Sequence, residues 1–495
     1  MDRSWRLNEL LRAAGILVPE NNPNPVITHL TDDSRAAGPG TLFVAVRGTS
    51  QDGHRYLKQA AQQGACAAVV EPGEQVPSDM VRIETISTRQ IVGPLAQAYY
   101  EFPSRRLKVA GVTGTKGKTT VTWLAHYLLE AAGVPAGLIG TICNKIRSEE
   151  FPSQNTTPGA IELAALLARM VDNGVQACVM EVSSHALDQD RVRGVEWHAG
   201  VFTNLDGEHL DYHGTLENYL QAKLKLMQSL TKSATAIINA DDPVSDQAVR
   251  AAAGAGVVWT YALKAPALFH LKRFESSLAG TRCEWETPQG IVSVQTPLIG
   301  SHNMENWMAA AAILFSLGVP LEASAQGALK FPGVPGRLER VNAGQPFPVF
   351  VDYAHTEGSL RRVLEELRAI GKYRIITVFG CGGNRDKTKR PRMGRAAAEL
   401  SDEVIITSDN PRREEPEQIA REVAEGARGL ATPCRIILDR RGAIQKAIDS
   451  ADERSLVLIA GKGHESGQIF ASVTVPFDDR QVAREILSAA RTQRA

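Results

Sequence analysis

The sequence predicts an α/β protein of three domains, on three observations. The first is length: 495 residues exceed what one hydrophobic core organises, at roughly 100 to 200 residues per domain. The second is a regular alternation of short apolar runs with segments of helical apolar spacing, the pattern of mostly parallel sheets with helices on their faces. The third is Gly111-Val112-Thr113-Gly114-Thr115-Lys116-Gly117-Lys118-Thr119-Thr120, a glycine-rich turn between a strand-like and a helix-like segment.

In chain order, MDRSWRLNELLRAAG reads as an amphipathic helix and carries acidic and basic residues, unlike a signal peptide. From Val26 to Glu101, strand-like runs at Thr41–Val46, Ala67–Glu71 and Met80–Ile83 alternate with polar or helical stretches, a small N-terminal α/β domain assigned to residues 1–102. A linker at Glu101–Arg106 follows. Strands are then expected at Lys108–Val112, Val134–Ile139, Ala177–Glu181, Ala199–Asn204, Ala234–Asn239 and Val257–Thr260. Helices are expected at Thr120–Ala132, Ala160–Asn173, Leu216–Leu230 and Pro243–Ala253. This is a mostly parallel doubly wound sheet, whose ligands should sit at the carboxyl ends of its strands. Leu268–Val294 reads as antiparallel strands appended to it, Asn303–Leu317 as a helix, and the breaker cluster Phe331–Gly336 closes a central domain of residues 103–336. Val349–Tyr353, Arg374–Phe379, Glu403–Thr407, Cys434–Leu438 and Ser455–Ala460 alternate again with helices, a C-terminal Rossmann-like α/β domain of residues 337–495.

Composition narrows the class. Lys plus Arg equal Asp plus Glu at 55 each, so no basic excess points to nucleic acid or to an anionic membrane surface. Six cysteines (Cys66, Cys143, Cys178, Cys283, Cys381, Cys434) are scattered without CxxC pairs, against a disulfide framework or a zinc site and consistent with a reducing cytosol. No apolar run approaches the roughly 18 residues of a membrane helix, so no membrane insertion is expected.

The chemistry starts at the glycine-rich turn. Glycines let consecutive backbone N–H groups approach phosphate oxygens, and the following helix N-terminus adds partial positive charge. Gly114, Thr115, Lys116, Gly117, Lys118, Thr119 and Thr120 are therefore expected to hold nucleotide phosphates, with Lys118 on the β/γ-phosphates and the Thr119 hydroxyl on Mg²⁺. Val112 stands where the strict phosphate-loop pattern has glycine. Glu181 ends an apolar strand and reads either as a carboxylate completing the Mg²⁺ shell or as a solvated strand end. His209 and His213, four apart after another apolar strand, read either as polar surface or as metal ligands.

Six segments in order, GVTGTKGKTT, EVSSHALDQDR, TNLDGEHLDYHG, GSHNMENWMAA, FPGVPGRLERV and VDYAHTEGSL, make nearly the whole chain resemble the Mur ligase family of ATP-dependent amide-forming enzymes. DDSR at 32–35, NTTP at 155–158, GCGGNRDKTKRP at 380–391, SDNPR at 408–412 and GKGHE at 461–465 resemble the branch that adds the third residue of the peptidoglycan peptide. The resemblance implies ATP as co-substrate and Mg²⁺, with UDP-N-acetylmuramoyl-L-alanyl-D-glutamate and meso-diaminopimelate as the other substrates. The D-glutamyl carboxylate is phosphorylated, and the acyl phosphate is attacked by an amine of diaminopimelate through a tetrahedral intermediate.

By the same resemblance, Thr119 and Glu181 bind one Mg²⁺, and His209 binds a second together with Lys223, whose CO2-derived carbamate (N6-carboxylysine) acts as a carboxylate ligand. Glu208 stands where the family has Asp. Composition alone would read Lys223 as a solvated lysine. Asn303, Arg337 and Asp352 match residues that contact adenine, phosphates and ribose. Asp32, Ser34, Thr49, Ser50 and Gln51, with Asn155, Thr156, Thr157, Ser183, Gln189 and Arg191, match positions that hold the nucleotide-sugar peptide. Arg385, Asp409, Asn410, Pro411, Arg412, Gly461 and Glu465 match the diaminopimelate pocket, where the Arg412 guanidinium would grip the carboxylate that lysine lacks. A bacterial cytoplasmic location and a monomer are also expected. Two alternatives are a folylpolyglutamate synthase, which lacks the DNPR and GCGGNRDK pairing, and a P-loop ATPase or switch protein that hydrolyses ATP without a muropeptide.

Overall fold

The computed structural model describes residues 3–18, 20–48 and 51–494. It forms two compact units: 1–270 with 286–292 and 305–327, and 271–285 with 293–304 and 328–495. The first unit holds an antiparallel pair, Trp5–Arg6 with Val26–Ile27, and most of two larger sheets.

In the smaller sheet β1 (His29–Thr31), β2 (Thr41–Val44), β3 (Ala65–Val70) and β4 (Val81–Glu84) lie side by side in chain order, all parallel. Strand periodicity sends Leu42 and Val44 to one face, against Leu7, Leu10 and Leu11 of α1 (Leu7–Ala13) and Leu95 and Ala96 of α3 (Thr88–Tyr99). Phe43, Ala68 and Val70 face the other way, onto Leu57 and Ala60 of α2 (Leu57–Gln62).

The larger sheet is built on β5 (Lys108–Thr113), β6 (Ala136–Ile139), β7 (Cys143–Ile146), β8 (Glu149–Pro152), β9 (Ala177–Glu181), β10 (Ala199–Phe202), β11 (Thr235–Asn239), β12 (Val257–Ala262) and β13 (Phe269–Ser277). Its order is β8-β7-β6-β9-β5-β10-β11-β12-β13. Its helices include α4 (Lys118–Ala131), α5 (Ala160–Asp172), α6 (Ser184–Asp188), α7 (Leu210–His213), α8 (Leu216–Gln228) and α9 (Ser245–Ala251). β5 has β9 on one side and β10 on the other, both parallel to it, so the order reverses around β5 and a crevice opens at its carboxyl end.

Two features differ from the sequence expectation. The antiparallel hairpin β7–β8 was not expected; Arg147 takes the left-handed turn position (φ 57), where glycine or asparagine is the usual signal. β13 joins β12 in parallel, not antiparallel, through a connection whose Leu263, Lys264 and Ala265 amides all donate to the Asp241 carboxylate. β13, β14 (Gly280–Thr287) and β15 (Gly290–Thr296) then follow one another through the short turns Leu278-Ala279 and Pro288-Gln289.

The second unit carries the sheet order β16-β17-β21-β18-β19-β20, formed by β16 (Glu339–Val341), β17 (Val349–Asp352), β18 (Arg374–Phe379), β19 (Glu403–Ile406), β20 (Cys434–Ile436) and β21 (Ser455–Ala460). Only the β16–β17 pair is antiparallel. α10 (Ser301–Ser316) starts in this unit, followed by α11 (Glu357–Ile370), α12 (Lys389–Leu400), α13 (Arg440–Asp449) and α14 (Asp479–Arg494). Phe350, Ile375 and Leu458 pack on Leu360, Leu364 and Leu367 of α11, while Val351, Ile376 and Ile459 pack on Ala443 and Ile444 of α13. Glu366 of α11 accepts bonds from the Ser301 hydroxyl and the Ser301 N–H (3.0 Å) at the start of α10, and His302 Nδ1 lies 3.5 Å from its Oε1, an ion-pair separation. Burial alone would raise the Glu366 acid, but His302 and Ser301 outweigh it and bring the pKa to about 2. The hairpin β22 (Gly467–Phe470) and β23 (Val473–Pro476) precedes α14. Among the described residues, no helix is long and apolar enough to cross a membrane.

Candidate active site

The glycine-rich turn leaves β5 at Thr113 and enters α4 at Lys118, at the crevice that the sheet order creates. Gly114 (φ 144) and Gly117 (φ 88) are required: a Cβ on Gly114 would stand 1.9 Å from Thr203 Oγ1, and one on Gly117 would stand 2.5 Å from Asn306 Oδ1. Val112 needs no such freedom, because it lies inside β5, paired with Glu181 and Val201.

The segment after β10 holds the turn in shape. Asn204 Oδ1 accepts from Lys116 N (2.8 Å), Thr203 Oγ1 donates to Lys116 O (2.6 Å), and Lys116 Nζ pairs with Asp206 Oδ2 at 2.5 Å. From this motif the sequence suggests the two histidines; Thr203, Asn204 and Asp206 are the additions of the structure.

Lys118 Nζ donates to Gly114 O (2.8 Å) and Thr115 O (2.9 Å). Thr119 Oγ1 donates to Glu181 Oε2 at 2.9 Å. Glu181 is 1% exposed, so it is not a solvated strand end, and Thr141 supplies its N–H (2.8 Å) and hydroxyl (3.1 Å) to the same carboxylate. A buried carboxylate whose described bonds come from neutral donors, with a hydroxyl oxygen beside it, suits a hard divalent cation.

Lys223 overturns the solvated-lysine reading. It lies on the buried face of α8 with Leu220, Leu224 and Met227, a spacing legible in the sequence, and is 1% exposed. Its Nζ donates to Gly114 O (2.7 Å) and sits 4.2 Å from the Tyr219 ring centroid. Burial, then the Lys118 charge, push its pKa well below the ordinary lysine value. His209 is exposed to solvent in part, yet desolvation by its surroundings lowers it to about 4, so its ring is neutral at pH 7 and able to ligate a metal. The rings of His185 and Tyr219 lie 5.0 and 6.0 Å from it. His213 Nε2 instead lies 3.0 Å from Ser184 Oγ.

Around Glu181 a connected network contains five expected substrate residues. Thr157 Oγ1 donates to Glu181 O (2.9 Å) and accepts from Ser183 N (3.0 Å), and Thr156 Oγ1 lies 3.0 Å from Thr141 Oγ1. Arg191 forks onto Gln189 Oε1 (3.0 and 2.7 Å) and reaches Thr157 O (3.1 Å). Asn155 is exposed outside this network. In the smaller sheet's domain, Ser34 Oγ donates to Gln59 Oε1 (2.9 Å), while Asp32 and Gln51 are exposed; Thr49 and Ser50 lie outside the described residues. Nearby, Asp52, His54 and Glu74 lie together, with Arg47 supplying the positive charge. His54 Nε2 accepts from Glu71 N (3.0 Å), so Nδ1 carries the proton toward Asp52 (2.6 Å), and Arg47 binds Glu71 and Glu74.

In the second unit, Asn303 Nδ2 donates to Ile299 O (2.8 Å), and Asp352 accepts from Leu338 N (2.6 Å) and Ala354 N (2.7 Å). Burial raises the Asp352 acid, with the nearby Arg337 charge opposing. The Arg337 guanidinium stands 4.5 Å from the Tyr353 ring centroid.

The segment after β19 brings the other expected residues together. Arg412 adopts φ 53 and donates to Gly383 O (2.9 Å) and Asn410 O (3.4 Å). A Cβ on Gly382 would lie 2.9 Å from Arg412 Nη1 and 3.9 Å from Arg385 Cγ, so both arginines flank one turn. Asn410 Nδ2 donates to Glu465 Oε2 (2.9 Å). Gly461 (φ 111) leaves room for Asp409, whose Oδ2 would stand 2.8 Å from a Cβ there. Asp409 and Pro411 are buried, and Arg385 is exposed. Sequence reasoning missed the fully buried Lys462 between Gly461 and Glu465.

A phosphate loop at the reversal point of a parallel sheet, with a hydroxyl and a buried carboxylate beside it, defines an ATP-using α/β enzyme of the P-loop class. The Mur ligase family, catalytic domain, matches residues 26–100, the Mur ligase middle domain matches 112–314, and the Mur ligase glutamate ligase domain matches 336–463. A UDP-N-acetylmuramoyl-L-alanyl-D-glutamate–2,6-diaminopimelate ligase of Gloeobacter violaceus is 45% identical over 494 residues, covering 99% of each chain. One of the same name from Bacillus licheniformis is 41% identical over 470 residues, covering 94% of this chain and 95% of its own. A solved structure of a UDP-N-acetylmuramoyl-L-alanyl-D-glutamate–2,6-diaminopimelate ligase matches with a TM-score of 0.73 at 30% identity, over 99% of both chains. The chain belongs to the Mur ligase family and is an ATP-dependent ligase of peptidoglycan synthesis.

Proposed function

We propose that the enzyme joins meso-diaminopimelate to UDP-N-acetylmuramoyl-L-alanyl-D-glutamate in a bacterial cytoplasm, acting as a monomer with domains at 1–102, 103–336 and 337–495. A carboxylate repels nucleophiles, so the D-glutamyl carboxylate oxygen first attacks the γ-phosphorus of ATP and ADP leaves. The amine of diaminopimelate then adds to the acyl carbon, and the tetrahedral intermediate expels phosphate as the amine loses a proton. No enzyme nucleophile takes part.

In this reading Gly114 to Thr120 cradle the phosphates, Lys118 neutralises the transferring group, and Asn303, Arg337 and Asp352 serve the rest of the nucleotide. Thr157, Ser183, Gln189 and Arg191 orient the peptide, with Thr156, Asn155, Asp32, Ser34, Thr49, Ser50 and Gln51 along the nucleotide sugar. Thr119 and Glu181 would hold one Mg²⁺, and His209 with Lys223 a second. Bound there, the ions supply charge neutralisation of phosphate oxygens. The lowered pKa of Lys223 supports its carbamylation: the neutral amine bonds to the carbon of CO2 and a proton leaves, giving a carbamate. Labelled bicarbonate should give a carbamate signal by carbon NMR in the wild type and none in Lys223→Met.

The observation that carries the choice of amino acid is Arg412, held in a left-handed turn with its guanidinium bonded, among the described residues, only to main-chain carbonyls. A second carboxylate on the ligand can replace those carbonyls with a two-pronged ion pair. The test is phosphate release from Mg·ATP and the nucleotide peptide with meso-diaminopimelate, L-lysine or neither, in wild type and Arg412→Ala. Release that requires diaminopimelate, with the preference over lysine lost in the variant, is expected. Release indifferent to all three additions would replace this reading with an ATPase or switch protein.

A further inference from the structure

Lys462 has no part in the reaction as described, yet its side chain is wholly buried. Its ammonium donates to Asn410 Oδ1 (3.1 Å), Glu465 Oε2 (2.9 Å) and Gly467 O (2.6 Å), so each of its three protons has an acceptor. Asp409 Oδ1 stands 4.0 Å away. A buried ammonium is expensive to desolvate, and an apolar side chain of similar volume would fill the space without that cost. What the charge does can be read from its three partners.

Asn410 Oδ1 receives Lys462 Nζ and Ile469 N (3.0 Å), both donors, which fixes the amide and leaves Nδ2 to bond Glu465 Oε2. Glu465 thus has one oxygen tied by Lys462 and Asn410, while its side chain stays one-third exposed. Burial would raise its acid, but Lys462 and Asn410 outweigh burial and lower it, so it stands as an anion. Gly467 opens β22, whose Ile469 O accepts Arg412 N (3.0 Å) and beyond which Ala471 N donates to Arg412 O (2.5 Å). The left-handed backbone of Arg412 is therefore held by the hairpin that Lys462 anchors at its first residue.

We infer that Lys462 is the positioning residue of the amino-acid subsite: it aims the Asn410 amide and the Glu465 carboxylate at an amino-acid ligand and, through Gly467, steadies the hairpin that holds Arg412. The inference rests on reading this cluster as the diaminopimelate site.

The test is steady-state kinetics of Lys462→Met and Lys462→Gln, with thermal melts, and the double variant Lys462→Met/Asn410→Ala. KM for diaminopimelate should rise roughly tenfold to a hundredfold while KM for ATP stays within about twofold and kcat changes less than KM. The double variant should raise KM by less than the product of its two single effects, because both act on one network. A merely structural lysine would lower the active fraction, and so kcat, without moving KM. An unchanged KM for diaminopimelate, equal rises in both KM values, or fully multiplicative effects in the double variant would overturn the role. If Lys462→Met does not fold, Lys462→Gln, which keeps N–H donors in the cavity, is judged by the same KM ratios. The wild-type control separates the two ideas: a wild type indifferent to diaminopimelate sinks the substrate reading, whereas a selective wild type with unmoved variants sinks only the role of Lys462.

Discussion

The phosphate loop and the amino-acid cluster treat charge in opposite ways. At the loop, two ammonium groups, Lys118 and Lys223, converge on one carbonyl oxygen, that of Gly114, at 2.8 and 2.7 Å. Like charges that close repel, and the depressed pKa of Lys223 is partly that repulsion. In the amino-acid cluster and its surroundings, cations are matched inside the protein: Lys462 with Glu465, Arg390 with Glu414 and Glu422, and Arg440 with Asp479. Arg412 is bonded only to carbonyls among the described residues. At the phosphate loop Lys118 and Lys223 meet displaceable carbonyl oxygens, while Lys116 is paired with Asp206. A site that selects between two amino acids balances its buried charges and leaves the Arg412 guanidinium for the distinguishing carboxylate.

The largest effect should come from Lys118→Ala, which removes the loop's reach to the transferring phosphate and should lower phosphate release about a thousandfold or more. The same substitution should raise the pKa of Lys223, measurable as weaker CO2 labelling at neutral pH. Next, Lys223→Met should cost roughly a hundredfold in kcat if its carbamate holds a metal, whereas a variant close to wild type would leave that lysine a structural role. Arg412→Ala should leave turnover with lysine near its starting value while reducing a preference of about a thousandfold toward parity; a uniform loss with both amino acids would break the contrast drawn above.

The smallest effect tests a carboxylate outside both sites. Glu366 is lowered to about 2 in the folded protein, so its contribution is complete above its unfolded value of roughly 4.3 and is lost as pH falls toward 2. Glu366→Gln should destabilise by about 1–3 kcal/mol at pH 7, with the gap from wild type closing in acid. Melting curves from pH 7 to pH 3 check the sign; a gap that widens in acid would contradict it.

Much of the molecule was legible in the sequence because the signals are local. Short continuous apolar runs marked the strands, helical spacing set α8, and the strand-turn-helix context marked the loop despite Val112. The unexpected parallel entry of β13 depends on Asp241 capping amides more than twenty residues away. Thr203, Asn204 and Asp206 stayed hidden for the same reason: Lys116 and Asn204 are 88 residues apart in the chain.

The sequence by itself determined the fold class, the phosphate loop and the inventory of charged side chains, since glycine placement, apolar periodicity and residue type are properties of neighbouring positions. Only the tertiary structure decided which of those charges are desolvated and with whom they pair. Lys223 meets Gly114 across 109 residues, and Lys462 meets Asn410 across 52. Burial and pairing depend on distance through space, and a lysine reads the same in sequence whether water or a buried carbonyl surrounds its ammonium.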